Sequence, residues 1–196
     1  MSFYTRKGDD GKAVLLSGGR LRKTDRIFRA MGSVDELNSA IGLARYYVHD
    51  DMIRGELREI RNDLFILGAN LALAKGAGPK TGKVKGAGPG LEKAVEMKKA
   101  KRSGDAAGRL EGAIADIERR VKAPKEFVIF EGEGALWLDL ARTAARDAER
   151  SVLKASEKYK IDPGVERYLN RLSSYLYAAA LYVDRIEEID DAHPTY

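Results

Sequence analysis

Three arginines spaced four residues apart are the first place in this 196-residue chain where chemistry could reside. Arg142, Arg146 and Arg150 stand at i, i+4 and i+8 within Ala141–Arg150, so a helix there sets all three along one edge. Like charges in line repel, and the isolated helix gains nothing from them. An anion or a partner carboxylate would neutralise them, and the bidentate guanidinium fork suits either. Glu149, three residues beyond Arg146, is close enough in sequence to orient it. The competing reading is a solvated charged face laced with salt bridges.

Three further segments carry polar groups of the right type. In Tyr4–Lys12, Gly8 and Gly11 allow backbone N–H groups to turn toward an anion, and Arg6, Lys7 and Lys12 add positive charge. The same Gly-Asp-Asp-Gly run also suits a surface turn. The following Leu15–Lys23 stretch again pairs glycines with cations. In Gly32–Asn38, Asp35 flanks an apolar stripe, where a carboxylate usually pairs with an arginine of a neighbouring helix. Arg142 is the candidate, within the chain or across a subunit boundary, and a plain helix-surface carboxylate is the alternative. In Tyr168–Tyr175, Asn170 lies beside the buried stripe, where its amide needs a ligand or a structural partner.

The elements that must position these groups are helices. Ile27, Met31, Val34, Leu37, Ile41, Ala44 and Val48 recur at intervals of three and four, as do Ile53, Leu57, Ile60, Leu64, Leu67 and Leu71. A shorter stripe runs through Leu110, Ile114, Ile117 and Val121. A fourth helix is expected from near Gly134, with Leu136, Leu140, Ala144, Ala148 and Val152 inward. Pro163 opens the last, which buries Val165, Leu169, Leu172, Leu176, Ala179, Val183 and Ile186. Five amphipathic helices with little strand signal predict an all-α bundle. Residues 1–24 read as a loop that orders on binding, with a short hairpin. Residues 75–104 contain Lys-Gly-Ala-Gly-Pro twice and read as a mobile insertion, with a short helix over Leu91–Arg102.

Composition narrows the function. With no cysteine, disulfides and thiolate metal sites are excluded, and two distant histidines argue against zinc. No apolar run approaches the roughly 20 residues of a membrane span, and the N-terminus lacks a signal-type stretch, so a cytoplasmic protein is expected. The net charge of +5 suggests a polyanionic partner, but residues 75–104 hold nine Lys/Arg against two Glu and the rest of the chain is net acidic. That argues against nucleic acid as the main partner. The Gly82-Lys83 run lacks the spacing and hydroxyl residue of a nucleotide-binding P-loop.

Taken in order, these motifs resemble the PduO-type ATP:cob(I)alamin adenosyltransferase family. The matching pieces are Thr5–Gly11, then Gly18, Gly19, Lys23 and Asp25, then Val34–Asn38, Leu64–Ala72, Ala141–Arg150 and Tyr168–Leu176. The resemblance implies a single domain over 1–196 with a basic insertion at about 75–104, folded as a five-helix bundle and assembled as a homotrimer with active sites between subunits. It implies attack by reduced cobalamin on the 5′ carbon of ATP, forming adenosylcobalamin and triphosphate. The protein then aligns two substrates and stabilises the leaving group. By position, Thr5, Arg6, Lys7, Gly8 and Lys23 become ATP ligands from the loop, and Arg146, Glu149, Arg150 and Asn170 ligands from the helices. Arg142 pairs with Asp35 across the interface, and these two with Arg146 form the catalytic set. Magnesium accompanies the triphosphate, and Phe127, or after a register shift Phe130, faces the cobalt. A cobalamin reductase or an adenosylcobalamin-dependent enzyme becomes a natural partner. Lys12, Ala13, Asp139 and Asp147 depart from the family pattern. A non-catalytic ATP- or cobalamin-binding regulator is the alternative function.

Overall fold

The computed structural model describes Tyr4, Arg6, residues 8–76 and residues 105–187. Thr5 and Lys7, most of the 75–104 insertion and the helix expected over Leu91–Arg102 lie outside the described residues. Among the described residues five helices make the body: α1 (Arg26–Tyr47), α2 (Asp51–Ala72), α3 (Ala106–Glu118), α4 (Glu133–Ser156) and α5 (Pro163–Ile186). Local chemistry sets their starts. The Asp25, Asp50 and Asp162 carboxylates cap α1, α2 and α5 by accepting N–H bonds from Ile27, Ile53 and Gly164, and Pro163 fills the first turn of α5.

α1, α4 and α5 form the centre, α2 packs on α1, and α3 packs on α5. The stripes expected for α1 and α2 are buried almost throughout, with Ile27, Leu37, Ile41, Leu57, Ile60 and Leu71 wholly enclosed. The stripe expected for α4 is a correction. Leu136 and Leu140 are 51% and 49% exposed, and the buried face is Ala135, Leu138, Ala141, Ala145, Ala148, Val152 and Ala155. An alanine face lets α4 approach both α1 and α5 closely, which larger leucines would prevent. Ile186, expected inward on α5, is exposed too.

Two small antiparallel ladders close one end. β1 (Lys12–Val14) and β2 (Arg20–Arg22) form the expected hairpin. Ser17 anchors it to the end of α2, its N–H donating to the Ala72 carbonyl (3.2 Å) and its hydroxyl to Ala74 (3.0 Å). β3 (Lys75–Gly76) pairs with β4 (Tyr159–Lys160). Gly76 lies flat against the Tyr159 ring, where a Cβ would come within 2.7 Å of Cε1. No helix among the described residues is long and apolar enough to cross a membrane.

Candidate active site

The α4 arginines lie on one helix edge, as expected, but their environments differ. The Arg142 Nε donates to Asp139 at 2.7 Å, one turn earlier on the same helix. Arg150 reaches Asp147 at 3.4 Å. Arg146 is exposed and takes no hydrogen-bond or ion-pair partner among the described residues. Glu149 does not orient it. Its carboxylate instead accepts from the Asn170 amide at 3.0 Å, joining α4 to α5. Asn170 is exposed rather than half-buried, and its own oxygen accepts from Arg171 (2.9 Å), which also donates to Glu111 on α3 (2.6 Å).

Arg142 and Arg146 border a groove of about 360 Å³ between α3, α4 and α5. Ile114, Ile117, Val121 and Leu181 supply its apolar wall, and Tyr177 lines it with its phenolic ring. Behind that ring, Phe130 is 7% exposed and packs edge-on at 5.9 Å. Phe127, three residues earlier, is 78% exposed. The site thus sets two guanidinium groups beside an apolar surface, a pairing suited to a ligand with an anionic part and a large hydrophobic part.

Asp147 was read from sequence only as a departure. The structure makes it the hub between α1 and α4. It accepts from the buried Ser33 hydroxyl (3.0 Å) and from Arg29 (3.1 Å), besides its contact with Arg150. Burial pushes its pKa up, but the Ser33 bond and the charges of Arg29 and Arg150 hold it below the usual carboxylate value. Arg29 and Ser33 were missed. A polar Ser33 inside the α1 stripe was the available signal, because a buried hydroxyl requires a partner across the helix interface.

The N-terminal loop leads through the hairpin to the start of α1, beside the segment that follows α4. Gly8 sits where a Cβ would lie 2.9 Å from the Lys23 Nζ, so the glycine lets that ammonium approach the backbone. Arg6 has φ 57, in the left-handed region uncommon for a non-glycine residue, and Gly11 turns at φ 74. Lys23 N–H donates to the Gly11 carbonyl at 2.8 Å, closing the loop on the hairpin. Asp25, next in line, accepts from Lys158 (2.7 Å) and the Tyr159 hydroxyl (2.8 Å) beyond α4. Burial raises its pKa, and these bonds with the Ile27 N–H outweigh that and lower it.

Within one chain these halves do not meet as a single site. No hydrogen bond or ion pair joins Arg6, Gly8 or Lys23 to Arg142, Arg146 or Arg150 among the described residues. Asp35 is exposed on α1, and among the described residues its side chain does not pair with Arg142; its carbonyl accepts from the Ser39 hydroxyl.

The cobalamin adenosyltransferase family profile matches residues 3–183. The chain belongs to that family. It is 33% identical to a corrinoid adenosyltransferase of Bacillus subtilis (strain 168), over 97% of this chain and 91% of that protein. It is 35% identical to one of Mycobacterium bovis, over 89% of this chain and 84% of the relative. In structure it is similar to a variant PduO-type ATP:corrinoid adenosyltransferase from Lactobacillus reuteri complexed with cobalamin and ATP. That likeness has a TM-score of 0.79 at 28% identity and covers 100% of both chains.

Proposed function

We propose that this chain transfers the 5′-deoxyadenosyl group of ATP to cob(I)alamin. The substrate's cobalt brings the electron pair, the cobalt–carbon bond forms, and the C5′–O bond breaks with its electrons leaving on triphosphate. The protein needs no nucleophile of its own. Its work is alignment of the two substrates and stabilisation of charge that grows on the departing oxygen. The observation that carries the reading is Arg146, a cation with no described partner, at the border of an apolar groove in a chain of this family.

The remaining roles belong to the same proposal. Arg6, Gly8 and Lys23, with Thr5 and Lys7 beside them, hold the phosphates from the loop, and Arg150 and the Glu149–Asn170 pair complete the helical side. Magnesium is held through the phosphate oxygens. Phe127 is the aromatic group at the cobalt, supported by its exposure, while Phe130 serves the core. The assembly is a homotrimer in which Asp35 of one protomer meets Arg142 of the next. Leu136 and Leu140 on α4, with Leu43 and Tyr46 on α1, are exposed apolar groups of the kind a subunit boundary covers. The unit is one domain over 1–196, cytoplasmic, with a cobalamin reductase or an adenosylcobalamin-dependent enzyme as its partner. Phosphorus NMR of a turnover mixture tests the reaction. Inorganic triphosphate should accumulate as adenosylcobalamin forms, whereas ATP binding without triphosphate would instead mark a non-catalytic regulator.

A further inference from the structure

The helix that walls the arginine groove is held to the bundle in two different ways. Ala107, Leu110 and Ile117 of α3 are buried, and the helix packs on α5, with the groove between it and α4. Toward α2 its tie is ionic. Glu56 and Asp63 stand seven residues apart on α2, about two turns along one face, and the Arg109 guanidinium of α3 pairs with both. The Tyr168 hydroxyl of α5 also donates to Asp63 (3.2 Å), so this carboxylate joins three helices. All three charged groups are half-buried. A guanidinium that bridges two carboxylates away from bulk water fixes geometry better than an exposed ion pair does.

Arg109 itself does not line the groove. Around the axis of α3 it stands roughly 140° from Ile114 and about 180° from Glu118, both of which do, so the bridge and the wall lie on opposite sides of one helix. Two other polar ties of this segment run to α5. Glu111 accepts from the exposed Arg171 at 2.6 Å, and Arg120, just past the end of α3, donates to the Tyr182 hydroxyl at 3.4 Å. Ties to a single neighbour leave a helix free to roll on it. By reaching a second neighbour, Arg109 opposes that roll and fixes the separation between the Ile114–Ile117 wall and the arginines of α4.

We propose that Arg109 is a positioning residue: by locking α3 to α2 it sets the width of the groove and, through it, the affinity for the large apolar body of cob(I)alamin. The inference rests on the transfer reaction proposed above. The wall meets that body alike before and during the reaction, so loosening it weakens binding without slowing the chemical step. The proposed ATP ligands stand on the N-terminal loop, α4 and α5, and none of them is carried by α3.

The test is steady-state kinetics of the full chain with each substrate varied in turn, paired with a thermal melt, for wild type, Arg109→Met and Arg109→Lys. Arg109→Met should raise KM for cob(I)alamin about tenfold, the scale of losing roughly 55 Å² of apolar contact, with kcat and KM for ATP within about twofold of wild type. Arg109→Lys carries a point charge that cannot bridge both carboxylates, and its KM for cob(I)alamin should fall between the two. A merely structural arginine would lower the melting temperature and the apparent kcat through loss of folded enzyme, with both KM values unmoved, and that result overturns the proposal. An equal rise in both KM values overturns it too. If Arg109→Met does not fold, Arg109→Lys decides alone: a wild-type KM for cob(I)alamin refutes the role, and a raised one with KM for ATP unchanged upholds it. Failure of the transfer reaction shows separately, as a wild-type chain that forms no adenosylcobalamin.

Discussion

Replacing Arg146 with alanine should separate catalysis from stability more cleanly than any other change in this chain. In the folded protein Arg146 is exposed and makes no ion pair among the described residues, so truncation removes no described native contact. A surface change of this kind costs within about 0.5 kcal/mol, a melting shift of at most roughly 2 °C for a chain of this size. The transition state is different. Charge grows on the departing phosphate oxygen, and losing one preorganised donor to such a centre costs about 3–4 kcal/mol, roughly a 100- to 1000-fold fall in kcat. Arg150→Ala should lose less, because that side chain is already shared with Asp147. The assay pairs kcat for cobalt alkylation with a thermal melt of the same preparation. Arg146→Ala turning over within threefold of wild type would refute the assignment of the anion site. A large loss accompanied by a fall in melting temperature would show that Arg146 serves the fold instead.

Four further expectations follow from the packing and charge. Ser33→Ala removes the buried donor to Asp147 and should destabilise the α1–α4 contact by about 1–2 kcal/mol in urea unfolding; no change would deny Asp147 its role as hub. The lowered pKa of Asp147 means its contribution is present above the ordinary carboxylate value and is lost as pH falls through the lowered one. Asp147→Asn should therefore flatten the acid limb of a stability–pH curve, and an unaltered limb contradicts this. Glu187 has the opposite sign: burial first, then Asp184 and Glu133, raise its pKa despite the opposing His49 charge. Its favourable state is the protonated one, present at low pH and lost as pH rises through the raised value. Glu187→Gln should be more stable than wild type at neutral pH, and a less stable variant would sink the argument. At the proposed interface, Asp35→Arg should dissociate the trimer by light scattering, with Arg142→Asp in the same chain restoring it; failure of the second change to rescue the first removes that pairing.

Much of this architecture was legible because helix periodicity reports burial directly. The α1 and α2 stripes match the buried residues, with Met31 only partly enclosed, and Pro163 stands in the first turn of α5. α4 misled because hydrophobicity favours leucine over alanine as the inward residue. Close approach to two neighbouring helices reverses that preference and leaves Leu136 and Leu140 outside. Asn170 borders the α5 stripe, yet it is exposed, and its amide meets the partners Glu149 and Arg171 at the surface. Phe127 and Phe130 could not be told apart by type; packing against Tyr177 separates them. The Arg109 bridge to Glu56 and Asp63 needed the packing of α3 beside α2, which no local spacing encodes. The Arg146 edge was visible from the four-residue spacing alone. That it lacks a described partner while its neighbours are paired was not, because ion-pair choice depends on rotamers and on the adjoining helices.

The most direct measurement follows the absorbance of chemically reduced cobalamin mixed anaerobically with ATP, magnesium and the purified chain. The account predicts conversion to the adenosylcobalamin spectrum at a rate proportional to protein concentration, abolished when ATP is omitted. Folded protein that binds ATP yet leaves the reduced cobalamin spectrum unchanged would contradict it.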